Sequence, residues 1–235
     1  MSAESSLARA KAPHPRIAVL GIGAIEQHGP HLPVGTDWMV ISALSQRVAE
    51  ALGVWLLPAI PFSMSECHGP LAGTVWLKPA SLAAALQDIA ASLYAQKINQ
   101  LLILNGHGGN FILEPAIKSI RARFPTMTIA MPPEPWPERD ELGLIFEQAG
   151  TDLHAGEIET SLMLFLYPSL VQEECINYVP PVGREFLDYT TIEKICPQGV
   201  WGHASLGLAE KGERAMAAEV KAVVSFARKA FRRRK

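Results

Sequence analysis

The chain has 235 residues, 49% of them hydrophobic and 19% charged, which is enough for one sizeable core and points to a single domain over 1–235. Its formal charge of -2 supplies no broad attraction for nucleic acid or an anionic membrane. No segment approaches the roughly 18 uninterrupted apolar residues of a membrane span, and residues 1–11 lack an apolar core, so a soluble, cytoplasmic protein is expected.

The first predicted element is a strand at 17–20, apolar at every position and followed by Gly21, as in a parallel strand covered on both faces. The segment after it reads Glu26-Gln-His-Gly-Pro-His-Leu-Pro-Val-Gly-Thr-Asp37, with Asp37 immediately before a helical pattern over 38–52 that Gly53 would stop. A second strand is predicted at 54–57, and then a Pro/Gly/Ser-rich loop at 58–74 carries Cys67 and His68. An amphipathic helix at 81–96, a buried strand at 100–104 and a helix at 108–124 follow. Between the last two lies Asn105-Gly-His-Gly-Gly-Asn110. A further strand at 126–131 leads into a proline-dense loop at 132–137 that contains Trp136. His154-Ala-Gly-Glu-Ile-Glu-Thr-Ser161 opens a helix over 157–166, a Pro/Gly-rich stretch runs over 179–207, and the last helix covers about 210–231.

Strands alternating with helices imply a three-layer α/β/α domain with a mostly parallel central sheet, whose ligands bind outside the carboxyl ends of the strands. The loops after the strands at 17–20 and 100–104 fall on that edge.

Imidazole mixed with carboxylate suits a divalent zinc, manganese or iron ion, and the oxygen-rich, loop-borne set suits an open catalytic site better than a closed, thiolate-rich structural one. Glu26 and His28 leave the same face of an extended segment, and Asp37 has two oxygens with which to bridge two metals, although each of the three has an ordinary reading as turn residue, loop histidine or helix cap. His107 stands among glycines that could also cradle an anion. On a helix Glu157 and Glu159 point about 200° apart, so one of them, preferably Glu159, faces the metal, and Glu157 is a helper, a base or an ordinary first-turn Glu. His68 and Trp136 are placed on the substrate side. His14, His31 and His203 receive no role, and 197–203 reads as a lid or subunit contact. Cys67, Cys175 and Cys196 read as reduced spectators, and the basic end, Arg228 to Lys235, as a solvated helix terminus.

The three polar motifs together resemble the creatininase (creatinine amidohydrolase) family, in the same order and over about 16–225. The resemblance implies an α/β/α amidohydrolase with two divalent metal ions per subunit, a small-molecule amide substrate and a homo-oligomer, often a hexamer. It places Glu26, His28, Asp37 and His107 on metal ligands, His154 on an active-site histidine that shuttles a proton, and Glu159 on the carboxylate of the Glu-Thr-Ser element. Two departures stand out: enzymes acting on creatinine carry Glu where this chain has Gly109, and Trp where it has Gly150. The second metal then needs another carboxylate, Glu159 or Glu157, and creatinine is disfavoured. Relatives with the Gly-Gly form resemble formamide hydrolases of flavin and deazaflavin biosynthesis, a peptidase that matures a redox peptide, and sugar-lactone-like hydrolases. The expected reaction is hydrolysis of an amide or formamide C–N bond by water activated between two metals, with a non-catalytic metal- or ligand-binding oligomer as the alternative.

Overall fold

Strand β1 (Ile17–Ile22) buries five of its six residues, so it has no side to give to water and helices must cover both its faces. The computed structural model describes residues 16–133 and 142–232. His14, Trp136, most of the 132–137 loop and the basic Arg233, Arg234 and Lys235 lie outside the described residues.

β1 pairs in parallel with β2 (Trp55–Leu56) on one side and with β3 (Gln100–Asn105) on the other, and β3 pairs in parallel with β4 (Thr128–Ala130). The order β2-β1-β3-β4 makes the gap between β1 and β3 the point where the chain switches direction across the sheet. Loops leaving adjacent carboxyl ends at such a point diverge and leave a crevice. The register sets Ile22 beside Asn105, so both polar motifs start side by side at its floor.

Alternate residues of the strands feed two apolar layers. Ala18, Leu20, Ile22, Leu101 and Ile103 pack against α2 (Pro79–Ala95) and α3 (Leu113–Arg123). Val19, Leu102 and Leu104 pack against α1 (Thr36–Leu52), α4 (Glu157–Leu166) and α6 (Ala209–Ala230). Each large aliphatic side chain buried this fully contributes about 1.5–3 kcal/mol. The result is the expected three-layer α/β/α arrangement. No helix among the described residues is long and apolar enough to cross a membrane.

Two segments differ from expectation. The helix predicted at 108–124 begins only at Leu113, because Asn110 spends its side chain on the turn. Its amide donates to Asn105 Oδ1 over 2.9 Å, and its own oxygen accepts the Met64 N–H over 3.2 Å. The stretch 179–207, read as loop, contributes β6 (Gly202–His203), which pairs antiparallel with β5 (Asn177–Tyr178), and α5 (Ile192–Ile195). Residues 200–202 are buried and bridge to His154 through Trp201, so this segment is an inner wall and not a lid.

Candidate metal centre

The loop after β1 lies directly on the start of α1. A Cβ on Gly23 would overlap the Trp38 backbone, so glycine is what permits the approach. The Glu26 N–H donates to the Val34 carbonyl over 2.8 Å and turns the loop back on itself. Asp37, in the first turn of α1, thereby meets Glu26 and His28, while β3 delivers His107 from the next strand.

Asp37 stands between two histidines. Its Oδ1 lies 3.1 Å from His28 Nε2 and its Oδ2 lies 3.2 Å from His107 Nδ1, which is also 3.2 Å from Glu26 Oε2. Glu159 Oε2 approaches His28 Nε2 from the far side at 3.6 Å. Both rings are oriented from behind by backbone carbonyls. His28 Nδ1 donates to Glu26 O over 3.0 Å and His107 Nε2 to Met64 O over 3.0 Å, so the nitrogens facing the carboxylates are those free to ligate.

Both oxygens of Glu26 and Oδ2 of Asp37 are buried without a hydrogen-bond partner. Buried carboxylate oxygens are costly when left so, and a cation is the partner this geometry provides for. Glu26, His28 and Asp37 offer ligand atoms within 4.8 Å of one another, as do His28, His154 and Glu159, and Glu26, His68 and His154. The donor set fits zinc, manganese or iron.

Electrostatics tell the same story. Burial opposes charge on Glu26, yet His107 and His68 outweigh it and hold the carboxyl well below its usual range. Burial likewise opposes charge on His28 and His107, but Asp37 and Glu159 raise the first, and Glu26 and Asp37 the second, well above the usual histidine value. Glu159 is drawn down to about 2, the raising effect of burial being overcome by His28.

His154 and His68 behave oppositely. Burial and the neighbouring His28 lower His154, and burial with His154 pushes His68 down to about 3. His154 Nε2 lies 2.8 Å from the Gln27 carbonyl, which can only accept; the hydrogen is therefore on Nε2, and Nδ1 faces Glu26 Oε1 at 3.6 Å with a bare lone pair. Ala155, beside it, sits at φ 50, a left-handed conformation that turns the chain from His154 into α4.

The structure therefore gathers Glu26, His28, Asp37, His107, Glu159, His154 and His68 around one point, and it does not bring Glu157 there. The Glu157 carboxylate accepts the backbone N–H groups of Glu147 and Gln148 and binds Lys211 Nζ at 2.6 Å, on the opposite side of α4 from Glu159. Its expected role as base gives way to that of a clamp, for the reason the helical spacing implies: residues two apart face away from each other. Trp136 lies outside the described residues. The sequence reading passed over Gln27, whose amide touches both His68 and His154; its only signal in the sequence was its place between Glu26 and His28.

The centre forms the floor of a cavity of about 1170 Å³, whose outer wall includes Cys67, Phe111, Arg184 and Tyr189. A sequence model of the creatininase family, creatinine amidohydrolase, matches residues 3–227. The chain belongs to the creatininase family. It is 32% identical over 217 residues to the mycofactocin precursor peptide peptidase of Mycobacterium tuberculosis, covering 86% of this chain and 80% of that one. It is 29% identical over 239 residues to the creatinine amidohydrolase of Pseudomonas putida, covering 92% and 90%. The structure of a manganese creatininase superposes with a TM-score of 0.81 at 25% identity, covering 96% of this chain and 95% of that one. As a creatininase-family protein the chain is a hydrolase, and its relatives place it among metal-dependent enzymes that hydrolyse amide bonds.

Proposed function

We propose that this creatininase-family hydrolase holds two divalent metal ions, zinc, manganese or iron, and cleaves an amide or formamide C–N bond larger than the creatinine ring. The observation that carries the reading is Asp37, whose two oxygens each face a histidine already turned to ligate. Glu26, His107 and Asp37 would hold one ion, and His28, Asp37 and Glu159 the other. Such a pair, when bound, lowers the pKa of water and polarises a carbonyl.

The chain's own residues do the rest. His154 is neutral and bare at Nδ1, so it takes a proton at that atom as water adds to the amide carbon, and it returns the proton to the nitrogen as the C–N bond breaks. Leu77, Phe111 and Leu153 line the walls with apolar surface around the centre.

The breadth of the cavity, and the glycines at 109 and 150 where the resemblance gives creatinine-acting enzymes Glu and Trp, favour a peptide-like or formyl amide over creatinine, with the sugar-lactone-like class next. The mycofactocin peptidase relatives support the peptide arm. A homo-oligomer in the cytoplasm, with a hexamer as the first assembly to look for, completes the proposal. The test is turnover by zinc- or manganese-loaded protein of a panel containing creatinine, a formamidopyrimidine, a lactone and peptides with free carboxyl ends. Cleavage of a peptide or formyl amide that is lost on chelation is expected. Creatinine as the preferred substrate, or no metal-dependent hydrolysis of any C–N bond, overturns the reading.

A further inference from the structure

Gln27 is 7% exposed and lies in the chain between Glu26 and His28, the two ligands proposed above. Its side chain is held at three points. The Gly29 N–H donates to Oε1 over 3.0 Å, and because a backbone N–H can only donate, the amide cannot be the other way round. Nε2 therefore carries the hydrogens, and it lies 3.0 Å from His68 Nδ1. The other imidazole in reach, His154, already carries its hydrogen on Nε2 for the Gln27 carbonyl, so the amide's hydrogen bond goes to His68. Behind the amide stands Gly199 at φ 71, where a Cβ would overlap Gln27 Oε1. The inner wall at 197–203 thus leaves the amide one position.

A donor aimed at Nδ1 requires that nitrogen to be bare. The hydrogen of a neutral His68 must then sit on Nε2, which opens on the cavity 3.6 Å from Glu26 Oε1. The ring is kept in place by an edge-to-face contact with His154, at 4.5 Å between centroids. We propose that Gln27 is a positioning residue: it fixes His68 as the Nε2–H tautomer, so that His68 presents an N–H donor to the substrate oxygen as negative charge develops there. The part played in turnover rests on the amide hydrolase reading above; the tautomer does not. Two histidines that lie side by side are thereby given opposite tasks, His154 bare and accepting toward the centre, His68 protonated and donating, and one glutamine residue sets both, through its carbonyl and its amide.

The test is nitrogen-15 spectroscopy of ring-labelled, zinc-loaded protein, with His68→Gln used to assign the His68 signals. In the wild type, His68 Nδ1 is expected to resonate as a bare acceptor and Nε2 as protonated. Gln27→Glu keeps the shape and the bond from Gly29 but replaces the donor with an acceptor, so the His68 hydrogen moves to Nδ1. Gln27→Met removes the amide, so the two tautomers mix. In both variants kcat is expected to fall about 10- to 100-fold, with zinc content and melting temperature close to wild type. A wild-type His68 protonated on Nδ1, or His68 signals unchanged in Gln27→Glu, overturns the assignment, and the wild-type spectrum decides even if neither variant folds. Spectra as expected with kcat unchanged in both variants would overturn the donor role of His68. Spectra as expected in a protein that hydrolyses no amide would overturn the enzymatic reading and leave the tautomer assignment standing.

Discussion

His107 Nε2 donates to the Met64 carbonyl over 3.0 Å, and that bond determines what can stand at Gly109. A Cβ on residue 109 would overlap His107 Nε2 and come within 2.6 Å of the same carbonyl. The glycine is therefore part of the machinery that aims His107, and introducing by Gly109→Glu the carboxylate that the resemblance assigns to creatinine-acting enzymes should not create a ligand. Both Gly109→Ala and Gly109→Glu are expected to weaken metal binding about 10- to 100-fold, as loss of a residue orienting a ligand does. Titration against a coloured chelator measures it. Binding by Gly109→Glu as tight as wild type would show that the backbone yields and a new ligand forms.

Metal binding should release protons. In the metal-free protein His28 and His107 are raised well above the usual histidine value by the carboxylates around them, so at neutral pH both ring nitrogens facing the centre are protonated. A metal ligand must be bare, so loading displaces those protons and affinity rises with pH. Calorimetry of zinc binding in buffers of different ionisation enthalpy should give about two protons per subunit at neutral pH, and chelation should lower the melting temperature by an amount that fresh metal restores. Asp37→Ala should bind no metal tightly. A proton count of zero would contradict the charge state assigned to both rings.

Glu157 is predicted to hold the fold and not the reaction. Its side chain is fully buried, and Lys211, 12% exposed, is its only cationic partner among the described residues. Together with the N–H groups of Glu147 and Gln148, the pair ties α4, α6 and the segment before His154 into one unit. Removing one partner of such a pair leaves a buried charge alone, at a cost of about 3–5 kcal/mol, so Lys211→Met should unfold at clearly lower denaturant concentration. Glu157→Gln should lose stability while keeping its metals and a kcat within about threefold of wild type. A kcat lower by two or more orders of magnitude with full metal content would return Glu157 to the chemistry.

Where the physics is local, the sequence was readable. The apolar runs of β1 and β3 have no polar face, so a doubly covered parallel sheet follows from them alone, and with it the edge on which Glu26, His28 and His107 meet. The 200° between Glu157 and Glu159 already separated their directions, although only the position of Lys211, 54 residues away in the chain, shows which one turns away from the centre. Gln27 and the wall at 197–203 were not readable. Their roles depend on contacts between segments more than 40 residues apart, Gln27 with His68 and Trp201 with His154, and no period or spacing in a single chain records such contacts. The late start of α3 was missed for a different reason: a side chain, Asn110, competes with the backbone for the hydrogen bonds that would have extended the helix.

The last prediction lies far from the centre, in the middle of α6. Glu219 is 8% exposed, and burial alone lifts its carboxyl from an ordinary 4.5 to about 8. An acid with a raised folded-state pKa holds its proton in the native protein while the unfolded chain has already lost it. Between pH of about 4.5 and 8 the native state therefore binds more protons, and stability falls as pH rises through that window. Glu219→Gln does not titrate, so it keeps what the wild type loses. Urea unfolding of both metal-loaded proteins should give similar midpoints near pH 5 and a gap favouring Glu219→Gln that widens to as much as a few kcal/mol by pH 8.5. Water reaching the carboxylate would shrink that gap, and curves that run parallel from pH 5 to 8.5 would show that Glu219 ionises in the folded protein as it does in the unfolded chain.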